Sequence, residues 1–224
     1  MSYGSINSKF RPSSVLSFAS SRETSSALFQ IAFSTERPAV PSPAIFLDRD
    51  GVINCRRPDD YVLNFAQFLF TPGIKAALRQ LATLGLPMIV ISNQACVGKG
   101  LLDVPMLEEI TEQMHGSLAA DGIFVTAAYY CVHRSDDNCS CRKPKPGLLH
   151  HAADVYNIAM RRSIFIGDSE SDIQAGLAAG CQPIFFGSVP PNNTGLTLQS
   201  RDIAVARVPE ELFLVSSKTL EGCR

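Results

Sequence analysis

At 224 residues, 46% of them hydrophobic and 18% charged, the chain is long enough to bury one sizeable core. The net charge is −1 and the pI about 6.4, with Lys and Arg scattered, which excludes a nucleic-acid footprint. No apolar run approaches the roughly 20 residues that span a bilayer, so the expected partner is a small anion, with neither nucleic acid nor membrane involved.

Residues 1–42 read as a disordered extension. Eleven of the first forty are serine, no periodicity is sustained, and Pro38 and Pro41 close the segment. Four basic residues against Glu23 and Glu36 make a poor transit-peptide pattern. The stretch Ala27-Leu28-Phe29-Gln30-Ile31-Ala32-Phe33 fits either a short helix or a strand. From residue 43 strand and helix alternate. A strand over 44–48 precedes a loop with Tyr61 and Phe70-Thr71-Pro72-Gly73. Ile74, Leu78 and Leu81 then form a helical stripe that stops at Gly85. A strand over 88–92 leads to a helix carrying Leu107, Ile110 and Met114, with Asp103 as N-cap and Asp121-Gly122 as stop. A strand over 123–130, a helix near 147–157, a strand over 163–167, a helix over 171–179 and a strand over 183–186 follow. Residues 188–224 form a C-terminal extension: a polar loop at Pro190-Pro191-Asn192-Asn193, an edge strand at Ile203-Ala204-Val205-Ala206 and a short terminal helix. This order predicts an α/β fold over 43–187, a doubly wound parallel sheet of Rossmann-like type with right-handed crossovers. The segments between its polar strand ends leave no room for a large cap domain, so an open site is expected.

Polar residues gather at those strand ends. In Ala44-Ile45-Phe46-Leu47-Asp48-Arg49-Asp50-Gly51 two carboxylates two positions apart follow a buried run, and Gly51 lets the backbone turn. Paired carboxylates hold Mg²⁺, and one of them can attack a phosphorus that the ion polarises. A solvated turn would have the same short sequence. Ser92 and Asn93 end the next run with phosphate-binding groups. Arg142-Lys143-Pro144 offers a basic pair that neutralises charge on a transferring phosphoryl group. Asp168 and Asp172 follow Ile164-Phe165-Ile166-Gly167. Ligands of open α/β sheets lie beyond the carboxyl ends of the strands, so the four clusters should converge.

Seven cysteines, an odd number, with no apolar secretory segment at the N-terminus, argue against a disulfide framework and for a reducing, cytoplasmic setting. Cys131, His133, Cys139 and Cys141 bring three thiols and an imidazole together within eleven residues of polar loop. That ligand set predicts a closed, structural Zn²⁺ site over 131–141, although small buried residues would show the same spacing. Fixing Cys141 also fixes the path of Arg142 and Lys143. Zinc would replace the core that so polar a loop lacks.

Together these motifs resemble the haloacid dehalogenase superfamily of aspartate-dependent phosphatases. Asp48/Asp50, Ser92, Lys143 and Asp168/Asp172 match its four motifs in order. Phe46-Leu47-Asp48-Arg49-Asp50-Gly51, Ser92-Asn93-Gln94 and Cys141-Arg142-Lys143-Pro144 are similar to the branch of heptose bisphosphate phosphatases and histidinol-phosphatase domains, over roughly residues 43–187. The resemblance implies that Asp48 is the nucleophile and that Asp50 is first acid and then base. It implies Mg²⁺ held by Asp48, the Asp50 carbonyl and Asp168, with Ser92, Asn93, Arg142 and Lys143 on phosphate. Asp172 would orient the metal shell or Lys143, unless it is only a helix-start acid. Ser169, where the branch often has a base, implies one missing contact. Asn54 and Tyr61-Val62 favour the heptose substrate over histidinol phosphate. An inactive zinc-stabilised module would require loss of Asp48 or Asp50. The expected protein is a monomer acting on a small phosphorylated metabolite.

Overall fold

Alternate residues of the apolar runs face opposite ways, and each run is buried on both sides. In the computed structural model, which describes residues 28–57, 61–188 and 203–222, the strands are β1 (Leu28–Ala32), β2 (Ile45–Leu47), β3 (Met88–Asn93), β4 (Ala127–Cys131), β5 (Ile164–Gly167), β6 (Gln182–Phe186) and β7 (Ala204–Ala206). The helices are α1 (Ile74–Ala82), α2 (Ala95–Gly98), α3 (Val104–Ala119), α4 (Gly147–Tyr156), α5 (Glu170–Ala179) and α6 (Pro209–Glu221). Ile45, Leu47, Val90, Ile164 and Ile166 join Leu78, Ile110 and Leu212 in one core. Phe46, Ile89, Ile91 and Phe165 join Leu148, Ala152 and Ala175 in a second core. A strand in the middle of such a sheet has no solvent face, which is why its sequence is an unbroken apolar run.

The seven strands lie in the order β1-β4-β3-β2-β5-β6-β7. Leu47 pairs in parallel with Val90 on one side and Ile166 on the other, so β2, β3 and β5 end at one level. Chain order runs outward from β2 in one direction, through β3 and β4, and then returns beside β2 with β5. That reversal opens the crevice where doubly wound sheets bind ligands.

The expected doubly wound architecture is present without a large cap, with one addition. Leu28–Ala32, inside the segment read as an extension, is a strand that pairs antiparallel with β4, Phe29 opposite Tyr130. Its side chains complete the first core, and hydrogen bonding along β4 decides between helix and strand in a stretch too short for periodicity to decide. The following residues return over α4, where Arg37 Nε donates to the Val155 carbonyl at 3.1 Å and Asn157 Nδ2 to the Pro38 carbonyl at 2.9 Å. Residues 1–27 and the polar loop at 190–193 lie outside the described residues. The pairing of β4 begins at Ala127, later than the predicted 123. Ile123 and Val125 are buried ahead of the ladder, which explains why they read as strand. Asp103 caps α3 by accepting from the Met106 amide at 2.8 Å. Among the described residues no helix is long and apolar enough to cross a membrane.

Candidate active site

Asp48 is the first residue past β2, and its amide donates to the Ile166 carbonyl at 2.9 Å, which fixes it beside the end of β5. It is buried, and its Oδ1 meets Lys143 Nζ at 2.8 Å. Lys143 Nζ also reaches Asp172 Oδ1 at 2.6 Å and donates to the Ile91 carbonyl at 3.0 Å. A buried ammonium held by two carboxylates and a carbonyl stays charged; although burial opposes this, Asp172 and Asp48 raise its pKa. Asn93 fixes the same loop through two backbone bonds at 3.1 Å, one to the Lys143 carbonyl and one from its amide. The Asn93 carboxamide, expected on phosphate, thus also positions Lys143. Asp172 has both roles considered for it: besides Lys143, its Oδ2 accepts from the Ser169 amide at 3.0 Å and caps α5.

Asp50 lies in a ring of donors. Arg49, only 1% exposed, donates to both its oxygens at 3.0 Å, Asn54 Nδ2 to Oδ1 at 2.9 Å and Gln94 Nε2 to Oδ2 at 2.7 Å. Arg49 also donates to Gln94 Oε1 at 3.0 Å, which orients the carboxamide. Burial alone would raise the Asp50 pKa, but the Arg49 charge and these bonds outweigh it and lower it, so the resting group is a carboxylate. Opposite forces act on Asp48. Burial first, then the Asp172 charge, push it to about 7 against the pull of Lys143. Asp168 is pushed by burial to about 6, although Arg56 Nη2, 2.7 Å from its Oδ1, works the other way.

Carboxylate oxygens of Asp48, Asp168 and Asp172 lie within 4.8 Å of one another. The set is all hard oxygen, and three clustered carboxylates are met by one ammonium and one guanidinium, so it fits a small divalent cation. Because both Asp172 oxygens are already engaged, Asp48 and Asp168 are the better ligands. Gly51 leaves the space for this. Its φ is +96°, and a Cβ there would lie 1.9 Å from Asp168 Oδ2. Gly51→Ala should therefore displace Asp168, raising the Mg²⁺ concentration for half-maximal activity by about tenfold while lowering the melting temperature, because backbone strain of this kind costs about 1–3 kcal/mol. An unchanged Mg²⁺ dependence would show that Asp168 does not bind the ion.

A cavity of about 440 Å³ opens over these residues, lined by Asp48, Asp50, Ser92, Asn93, Lys143, Ser169 and Ser171, and by Arg56, Arg57, Tyr61 and Val62 of the loop after β2. Arg142 does not line it; of the expected basic pair only Lys143 faces the site. Arg56, Arg49 and Gln94 carry interactions that no motif assigned to them. The placement of Arg49 has a weak signal, a cation between two acids, whereas that of Arg56 has none.

Next to the carboxyl end of β4, Cys131, His133, Cys139 and Cys141 converge. Cys141 Sγ lies 3.3 Å from His133 Nδ1 and 3.5 Å from Cys139 Sγ, and Cys131 Sγ lies 3.6 Å from both. A tetrahedral ion with Zn–S bonds of about 2.3 Å places its sulfurs about 3.8 Å apart, so the donor set fits zinc with no ligand position left open. Hydrogen bonding from Cys141, against the opposing effect of burial, pulls the Cys131 thiol down to about 5, toward the thiolate that a metal requires.

A family profile described as haloacid dehalogenase-like hydrolase matches residues 42–180. The D-glycero-beta-D-manno-heptose-1,7-bisphosphate 7-phosphatase of Helicobacter pylori J99 is 42% identical over 137 residues, 61% of this chain and 78% of the relative. The enzyme of the same name from Pseudomonas putida is 37% identical over 140 residues, 62% of this chain and 79% of the relative. The crystal structure of D,D-heptose 1,7-bisphosphate phosphatase from B. bronchiseptica, complexed with magnesium and phosphate, superposes with a TM-score of 0.67 at 31% identity, covering 80% of this chain and 99% of that one.

Proposed function

We propose that this chain, which belongs to the haloacid dehalogenase-like hydrolases, is a Mg²⁺-dependent phosphomonoesterase whose substrate is D-glycero-D-manno-heptose 1,7-bisphosphate, cleaved at the 7-phosphate. The observation that carries the reading is Asp48, a buried carboxylate facing the cavity from a strand end with Lys143 at 2.8 Å and Asp168 beside it. The relatives' names supply the sugar.

In this reading Asp48 attacks phosphorus from the floor of the cavity, the phosphorus–oxygen bond to the sugar breaks, and an aspartyl-phosphate remains. Mg²⁺, held by Asp48, Asp168 and the Asp50 carbonyl, would supply charge stabilisation for the phosphoryl oxygens. Lys143 neutralises the same oxygens, with Asp172 and Asn93 holding it in line. Ser92, whose oxygen accepts from Gln94 Nε2 at 3.1 Å, has its own O–H to donate to phosphate. Asp50 gives a proton to the departing alkoxide and takes one from the water that opens the intermediate. Since its donors keep it ionised at rest, it must gain that proton when the substrate dianion arrives, whose charge raises the Asp50 pKa. Zinc in the Cys₃His cluster would serve only to order the loop that ends in Lys143. The presence of both Asp48 and Asp50 on the cavity wall leaves the inactive-module reading without support.

Phosphate release from the heptose bisphosphate, histidinol phosphate and common hexose phosphates, measured with Mg²⁺, tests the assignment. The expected result is a kcat/KM for the heptose bisphosphate at least about tenfold above the rest, a margin of about 1.4 kcal/mol in transition-state binding. Preference for histidinol phosphate would reassign the substrate. No release from any of them would end the phosphatase reading.

A further inference from the structure

Three carboxylates face the proposed metal position, and two side-chain cations offset them. Lys143 serves Asp48 and Asp172 and is buried with fixed partners on every side. Among the described residues Asp168 has one ion pair, with Arg56 at 2.7 Å, and the two cations differ in freedom. The Arg56 side chain is 52% exposed, comes from the loop after β2, and has no other side-chain partner among the described residues. It also lines the cavity, next to Arg57.

We propose that Arg56 is a place-holder for the divalent cation: it neutralises Asp168 until the metal binds, and the metal then displaces it into the cavity. This rests on the reading of Asp48 and Asp168 as metal ligands. A guanidinium bonded to Asp168 Oδ1 and a dication bound by the same carboxylate repel each other a few ångströms apart. Lys143 cannot give way without abandoning two buried acids, which is far costlier than releasing an exposed pair. The exchange keeps the acidic cluster neutralised in the metal-free protein. It also turns metal binding into the event that frees a guanidinium for an incoming phosphorylated ligand.

Calorimetric titration of Mg²⁺ into the full chain, zinc retained, at fixed ionic strength and without phosphate, tests the competition. Arg56→Gln should bind Mg²⁺ about three- to tenfold more tightly than the parent, because an exposed ion pair and the repulsion between neighbouring cations are together lost as competitors. Arg57→Gln removes the same charge from the same loop and should change the affinity less than about twofold if only the general field is altered. Unchanged or weaker Mg²⁺ binding in Arg56→Gln overturns the proposal, as does equal tightening in Arg57→Gln. If the parent protein takes up no Mg²⁺ at all, the ligand reading of Asp48 and Asp168 falls as well, which separates the two failures.

Discussion

Asp48→Asn is expected to lower turnover by about 10⁴-fold or more while leaving the protein folded. A carboxamide has the shape of the carboxylate but is a very poor nucleophile, and loss of the group that forms the covalent intermediate removes the pathway rather than slowing one step. The surroundings indicate that the fold survives. Lys143 keeps Asp172 at 2.6 Å and the Ile91 carbonyl at 3.0 Å, so no buried cation is orphaned. Stability should in fact rise. Burial and Asp172 push Asp48 to about 7 in the folded protein, above its ordinary 3.8. An acid whose folded pKa is raised binds its proton more tightly when folded, so its ionisation costs stability as pH climbs from about 4 through 7. Asn has no such cost. Without Mg²⁺ at pH 8 the variant should therefore melt at or above the parent, and with Mg²⁺ it should gain less, because one ligand is gone. Calorimetric melts together with phosphate-release assays check both halves. Turnover within about tenfold of the parent would remove Asp48 from the nucleophile's place.

How far the sequence reveals this site depends on the range of the interaction concerned. The strands could be read because Ile45, Phe46 and Leu47 are buried on alternate faces, and any such run in an αβ alternation becomes a central strand. Strand ends in parallel register then bring Asp48, Ser92 and Asp168 to one edge, a consequence of topology that needs no distances. The Cys₃His cluster is equally plain, because its four members lie within one loop. Pairings across the chain are not. Arg56 and Asp168 are separated by 112 residues, and neither neighbourhood announces the other. Arg142 and Lys143 were read as one basic pair, yet only Lys143 faces the cavity; residue type and spacing cannot say which member of a loop pair turns inward. Asn93 shows the same limit. Its residue type suits phosphate and it lines the cavity, but its two bonds to the backbone of Lys143, fifty residues away, have no signal in its own neighbourhood. The strand Leu28–Ala32 was hidden by length, since five residues in a serine-rich segment carry no period long enough to outweigh their setting.

Cys139→Ser is expected to have a second large effect, spread differently between stability and activity. Structural zinc in a Cys₃His site contributes about 10–16 kcal/mol of apparent binding free energy in small zinc-binding peptides, and a hydroxyl in place of a thiolate sacrifices much of it. Besides the four ligands, residues 132–140 are held mainly by polar contacts at the surface, such as those of Lys145 Nζ with Asn138 Oδ1 at 2.7 Å and the Cys139 carbonyl at 2.9 Å. Their surroundings are close on both sides: a Cβ on Gly98 would lie 2.6 Å from the Val132 carbonyl oxygen, and one on Gly147 would lie 2.4 Å from that of Ser140. A loop that loosens here pushes on the start of α4 and on Cys141, two residues before Lys143. Full loss of Lys143 is nevertheless not expected. Asn93, Ile91, Asp48 and Asp172 hold it independently of the cysteines. The variant should thus bind less than one zinc per chain, melt well below the parent, and retain a Mg²⁺-dependent activity reduced by roughly tenfold to a hundredfold, the loss that follows when a reacting group shifts by about 1 Å. A catalytic zinc predicts a different pattern. Turnover would then disappear with the metal even in protein that remains folded, and added Mg²⁺ would restore none of it. Zinc content by mass spectrometry, read beside the melting curve and the Mg²⁺ titration of activity, separates the two. Normal activity and stability in a variant free of zinc would leave the four ligands as an ordinary cluster of buried side chains.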